Sequence, residues 1–216
     1  MYGRLFAALL MIPVANWAAE GADSGVRADV ALKRLMEGNK RYVASKSVHP
    51  DQTSKRRREV AQAQHPYAVV LGCSDSRVPP ELVFDEGLGD LFVIRDAGHV
   101  VDDDVLGSIE YAVEHLHVNL VLVLGHEKCG AVQAAASGQA AHGHVVSLVK
   151  AIQPAVDEAR KQPGDLVHNC VIANALRSAR LIRESEPVMK HLVDSGKVKV
   201  VAADYDLATG KVILLK

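Results

Sequence analysis

Two continuous apolar runs, Tyr67–Gly72 and Leu120–Gly125, each end on a cluster of reactive side chains. Short runs without charge are expected of strands covered on both faces. The first opens onto Cys73-Ser74-Asp75-Ser76-Arg77, the second onto His126-Glu127-Lys128-Cys129-Gly130. Taken separately, each motif is satisfied by a core thiol and a hydrogen-bonded histidine. Taken together they constrain the fold. In open α/β sheets, ligands sit beyond the carboxyl ends of the strands, and both motifs occupy such ends. There Cys73, His126 and Cys129 can meet although more than fifty residues separate the motifs. Two thiolates and one imidazole suit zinc, and three protein ligands leave a fourth position open for chemistry.

The remaining chain alternates between the two periods. Ala28 to Val43 reads as a helix, with Val30, Leu32, Leu35 and Met36 near a 3.6-residue spacing. Thr53 to Gln64 reads as a polar helix ended by Pro66. A helical turn at Glu81–Phe84 and a strand at Leu91–Arg95 follow. Asp102 to Asp104 favour the start of a helix over Val105–His117, with Leu106, Ile109, Ala112, Val113 and Leu116 on one face. A helix is expected from Gly130. Ser137–Gly143 is a loop, and His142 and His144 are read as exposed residues of that region. Val145–Arg160 is a helix interrupted near Pro154, Asp165–Ser185 is helical, and Pro187–Ser195 adds a further helix. Val198–Ala203 and Val212–Leu215 are the last strands. The link between them is too short for a crossover, so they should pair antiparallel. The expected class is α/β, a mainly parallel central sheet flanked by helices with an antiparallel last strand. Residues 28–216 form a single domain.

A net charge of −1 argues against a nucleic-acid partner, and Lys55-Arg56-Arg57-Arg58 reads as a solvated helix face. Three cysteines are too few for a disulfide scaffold, and Cys170 lies in an apolar stretch as a core thiol. Residues 1–22 differ from the rest. Arg4 is followed by the apolar Leu5–Val14 and the small-residue-rich Ala15–Ala22. This is the layout of a cleaved signal peptide, with Ala19-Glu20-Gly21 as a tolerable cleavage region. The run is too short to span a membrane. The expectation is a periplasmic or secreted protein with no membrane segment in its mature form; the alternative is a cytoplasmic protein with an amphipathic extension. In an oxidising compartment, bound zinc would protect the two thiolates.

Two thiolates and a neutral imidazole cancel the charge of Zn²⁺. Such a zinc acidifies its water less than one held by three histidines, so the site needs help near neutral pH. Asp75 can accept a hydrogen bond from the oxygen on the metal, or bind zinc itself and close the open position. Arg77 can hold Asp75 by a bidentate pair. The simpler alternative for Asp75 and Arg77 is a structural ion pair.

The complete Cys73-Ser-Asp-Ser-Arg77 and Gly125-His-x-x-Cys-Gly-Ala-Val132 patterns closely resemble the β-class carbonic anhydrases. The resemblance runs from about Leu32 to Ile213 and includes Ala203-Asp-Tyr-Asp-Leu-Ala-Thr-Gly210. It implies an enzyme that interconverts carbon dioxide and bicarbonate, zinc hydroxide attacking carbon dioxide in a small apolar pocket. Cys73, His126 and Cys129 match the family's zinc ligands; Asp75 and Arg77 match its dyad, Asp75 taking the fourth zinc position in a closed state. Gln64, Phe92 and Tyr111 look like the family's substrate-side glutamine, phenylalanine and tyrosine. A homodimer or dimer of dimers is implied, with N-terminal helices reaching across to the neighbour. The rivals are a carbon disulfide or carbonyl sulfide hydrolase on the same scaffold, and a non-catalytic zinc-binding relative. One stretch departs: where the family usually has Arg-Asn-Ala-Gly-Asn, this chain has Arg95-Asp96-Ala97-Gly98-His99. Asp96 adds a negative charge that Arg95 can balance, and His99 reads foremost as a simple loop substitution, the alternative being that, with an intrinsic pKa near 6.5, it assists proton export.

Overall fold

The computed structural model describes residues 25–216, so the segment 1–22 lies outside the described residues. Helix α1 (Ala28–Val43) leads to α2 (Ser54–Val60), β1 (Ala68–Cys73), α3 (Pro80–Val83), β2 (Leu91–Asp96), α4 (Asp103–His115), β3 (Leu120–His126) and α5 (Gly130–Ser137). Helices α6 (Val145–Ala159), α7 (Leu166–Glu184) and α8 (Val188–Asp194) precede β4 (Lys199–Tyr205) and β5 (Val212–Leu214). The sheet order is β2-β1-β3-β4-β5. The first four strands are parallel, and β5 runs antiparallel to β4. Among the described residues no helix is long and apolar enough to cross a membrane.

Both apolar runs are strands buried along their whole length. Side chains alternate across a strand, so each run supplies two cores. Val69 and Leu71 of β1 join Val121 and Val123 of β3 against Ile109 and Val113 of α4 and Ala175 and Ala179 of α7. On the other face, Val70, Leu122 and Leu124 pack with Ala31 and Leu35 of α1 and with Phe84. A third cluster joins α5, α6 and α7 around Cys73, Cys129 and Cys170. Cys170 is thus the buried core thiol its apolar stretch implied.

Local chemistry sets the ends of several elements. Asp102 caps α4 by accepting from the Val105 amide at 2.9 Å, and Asp165 caps α7 through the His168 amide at 2.7 Å. Two expectations need correction. Helix α2 stops at Val60 rather than Gln64, because none of its residues is buried and no packed face supports another turn. Helix α6 runs unbroken through Pro154. The carbonyl that loses its donor there belongs to Lys150, an exposed residue, where water can replace the missing bond.

Helix α1 lies very close to the residue after α3. A Cβ on Gly38 would stand 1.7 Å from the Phe84 carbonyl oxygen, so only glycine permits the approach. The next residue, Asn39, is 3% exposed and ties three segments together. Its Nδ2 donates to the carbonyls of Val83 (3.1 Å) and Gly210 (2.8 Å), and its Oδ1 accepts from the Val212 amide at 2.9 Å. Asn39→Ala orphans these buried groups and should cost roughly 3 kcal/mol. Urea denaturation checks this; a loss below about 1 kcal/mol would show that β5 does not depend on Asn39.

Candidate metal centre

Strand β1 has β2 on one side and β3 on the other, so the chains leaving β1 and β3 diverge and a crevice opens beyond their carboxyl ends. The β1–β3 register sets Gly72 level with Leu124, which brings Cys73 to the end of β3. Lys128 adopts a left-handed conformation (φ 52°) that turns the chain between His126 and Cys129. Cys73 Sγ and Cys129 Sγ lie 3.9 Å apart, and with a ring nitrogen of His126 they form a buried group within 4.8 Å of one another. Tetrahedral zinc with bonds of about 2.3 Å separates two sulfurs by about 3.8 Å. The donor set and its spacing therefore fit a tetrahedral thiophilic ion.

The histidine is held in the right form. Its Nδ1 lies 2.9 Å from the Glu127 carbonyl, which can only accept, so Nδ1 carries the proton. Nε2 keeps its lone pair and is buried without a hydrogen-bond partner, as a ligand atom awaiting an ion would be. Burial opposes charge on the imidazole, but the Cys73 sulfur and the Asp75 carboxylate outweigh it and raise its pKa. Between the cysteines one proton is shared: the hydrogen bond from Cys129 lowers the Cys73 thiol and raises that of Cys129. A cation bound by both sulfurs displaces that proton. Cys129 precedes α5, and the Val132 and Ala131 amides favour its thiolate.

Asp75 stands outside this triad. Its Oδ1 accepts from the Arg77 amide and from Nε, both at 2.9 Å, and its Oδ2 from Nη2 at 2.7 Å. This bidentate bond with Arg77 holds the carboxyl far below its usual range. Oδ2 still lies only 3.9 Å from His126 Nε2, so a small rotation would bring it to the ligand atoms. Of the two arrangements expected for Asp75, the structure adopts the one paired with Arg77. Arg77 also reaches the Lys128 carbonyl at 3.4 Å and so spans both motif loops.

The departing stretch behaves differently from expectation. Arg95 does not balance Asp96; it donates to the backbone carbonyls of Cys73 (2.9 Å) and Asp75 (2.7 Å) and clamps the first motif. Asp96 instead accepts from the Val100 amide at 2.7 Å. His99 is wholly buried, and burial pushes its pKa down to about 4. A neutral, enclosed imidazole does not export protons to solvent, so that role is withdrawn. Gln64, Phe92 and Tyr111 do not join the triad within one chain. Gln64 precedes β1, at the end of the sheet opposite Cys73. Phe92 pairs with Val69, four residues before Cys73 and about 13 Å along the strand. Tyr111 on α4 is its ring neighbour, with centroids 6.3 Å apart. Sequence reasoning missed the contacts of Arg95 and overlooked Asn174, a polar residue inside the apolar face of α7. That mismatch was the available signal.

Burial raises the Asp96 carboxyl to about 6, with the nearby Asp102 and Cys73 charges adding to the shift. A carboxyl whose folded pKa lies above its unfolded value weakens the fold as pH rises from about 4, and the loss is complete above about 6. Asp96→Asn keeps an acceptor for Val100 and removes the buried charge. It should raise the melting temperature at about pH 7.5 and leave it unchanged near pH 4. Equal effects at both pH values would refute the assignment.

The family model described as carbonic anhydrase matches residues 68–212. The chain is 42% identical over 188 residues to a carbonic anhydrase of Mycolicibacterium smegmatis, covering 85% of this chain and 91% of that protein. It is 40% identical, over the same shares, to carbonic anhydrase 2 of Mycobacterium tuberculosis. A Coccomyxa β-carbonic anhydrase, solved in complex with acetazolamide, superposes with a TM-score of 0.69 at 28% identity, covering 85% of this chain and 86% of that one. The general reaction of these enzymes is carbon dioxide hydration. A buried Cys-His-Cys group at the parallel strand ends, on a fold shared with these proteins, shows that the chain belongs to the β class of the carbonic anhydrase family.

Proposed function

We propose that this carbonic anhydrase works with zinc held by Cys73, His126 and Cys129, and that Asp75 and Arg77 are its catalytic pair. The observation that carries the reading is the three buried ligand atoms within 4.8 Å, beside a carboxylate already engaged by an arginine. When bound, zinc supplies the Lewis acidity that makes hydroxide available from water near neutral pH for attack on carbon dioxide. The chain's own residues do the rest. Arg77 would keep Asp75 ionised and turned from the ligand atoms, so that Asp75, without a proton to donate, would accept a hydrogen bond from the reacting water and orient it. Its carboxylate is 16% exposed, which leaves an oxygen reachable from the mouth of the crevice.

We further infer that a second copy completes the substrate pocket. Strand β2 is an edge strand whose Leu91, Phe92, Val93 and Ile94 are only partly buried, and Tyr111 beside it is 39% exposed. An apolar open edge of this kind invites pairing. Gln64, Phe92 and Tyr111 lie far from their own Cys73, so they can line a pocket only at a neighbour's metal. Export from the cell is the reading of residues 1–22. No observation favours carbon disulfide or carbonyl sulfide as substrate, and the paired Asp75 and Arg77 favour a catalytic over a merely structural site.

Zinc-loaded protein should hydrate carbon dioxide in a stopped-flow assay between about pH 6 and 9. Arg77→Ala should lower kcat/KM by roughly a hundredfold while zinc content is retained. Cys129→Ser should lose both zinc and activity. Wild-type protein that contains zinc but hydrates no carbon dioxide at any pH would sink the proposal.

A further inference from the structure

The thiolate of Cys73 has a protein donor of its own. The Gly98 amide points at Cys73 Sγ from 3.3 Å. Gly98 is left-handed (φ 84°), and a Cβ there would meet Ile152 Cδ1 at 2.8 Å and Ala131 Cβ at 3.0 Å. The loop is therefore wedged between α5 and α6, in a left-handed turn that favours glycine. Its other side is anchored by α7. Asn174 Nδ2 donates to the Gly98 carbonyl at 2.9 Å and to His99 Nε2 at 3.1 Å. One turn later Ser178 Oγ donates to the His99 carbonyl at 3.1 Å. Residues four apart share a helix face, and both are nearly inaccessible, at 3% and 4% exposure.

We propose that Asn174, supported by Ser178, is a positioning residue for the metal centre: it holds the Gly98 amide on the Cys73 sulfur. The inference rests on Cys73, His126 and Cys129 being the metal ligands. A thiolate that accepts an N–H bond donates less charge to a bound cation. In a site with two thiolates this matters, because their donation is what blunts the cation's acidity. Asn174 touches neither metal nor substrate. It acts through one residue, Gly98, holding the carbonyl of the peptide after its Cα while the amide of the peptide before it meets the sulfur. The same side chain saturates His99 Nε2 and fixes that ring, so the whole turn from Asp96 to His99 is set from α7.

The test uses protein loaded with cadmium-113, whose nuclear spin couples through an N–H···S–metal bridge to the amide proton. Wild-type protein should show coupling between cadmium and the Gly98 amide proton. Asn174→Ala should abolish it and weaken zinc affinity, read by chelator competition, by ten- to a hundredfold. Ile182→Val, a buried change on the same helix away from the loop, should lower stability yet preserve the coupling. Where Asn174→Ala does not fold, Ser178→Ala is read the same way and should reduce the coupling. Coupling unchanged in the Asn174 variant, or absent from cadmium-loaded wild type, overturns the inference alone. Failure of wild type to take up cadmium or zinc overturns the metal reading and this inference with it.

Discussion

Everything at the metal centre depends on the parallel pairing of β1 with β3. That pairing sets Gly72 level with Leu124 and so delivers two motifs, remote in sequence, to one crevice. A slip by one residue would turn every side chain of β1 to the opposite face. Val69 and Leu71 would leave one core, Val70 would leave the other, and Cys73 would point away from Cys129. The same apolar residues that bury the strand thus fix the ligand geometry. Stability and coordination are not separate requirements in this sheet; both are properties of its register.

The loops beyond the strands are held by charge and by backbone hydrogen bonds as well as by apolar packing. Arg95 clamps two carbonyls of the first motif, and Arg77 joins its carboxylate to the second. Gly98 and Asn174 hold the remaining side. The Gly98 amide meets the Cys73 sulfur and Arg77 meets the Asp75 carboxylate, so each of these groups faces a donor of the protein's own. This offsets part of the repulsion between two thiolates and a carboxylate in a partly dry site.

Much of this was legible in the sequence, for physical reasons that also mark where legibility stops. Continuous apolar runs identified β1 and β3 because a strand covered on both faces has nowhere for a charge. The six-residue link after Tyr205 foretold an antiparallel β5. The ligands were legible because thiolates and an imidazole beyond equivalent strand ends have few other uses. The roles of Arg95 and His99 were not. Arg95 was assigned to its neighbour Asp96, but successive strand residues face opposite ways, and its partners are the carbonyls of Cys73 at the end of β1 and Asp75 just beyond it. His99 was read by its intrinsic pKa, whereas its charge state is decided by burial, which sequence does not display. Pro154 was read as a break because proline removes a helix donor, but the carbonyl it orphans belongs to Lys150 on the solvent side, where the loss is tolerated.

The enclosure of His99 has a kinetic consequence. Asn174 can only donate to Nε2, so the ring proton sits on Nδ1, buried and without a hydrogen-bond partner among the described residues. Such a proton trades with solvent deuterium only when the turn lifts from α7. Its exchange rate is therefore a clock for the opening of the loop behind the metal, reporting a local free energy distinct from that of global unfolding. A reacting centre commonly keeps its mobile parts in view of solvent. Here a fully enclosed imidazole keeps time for the segment that touches the ligand sulfur.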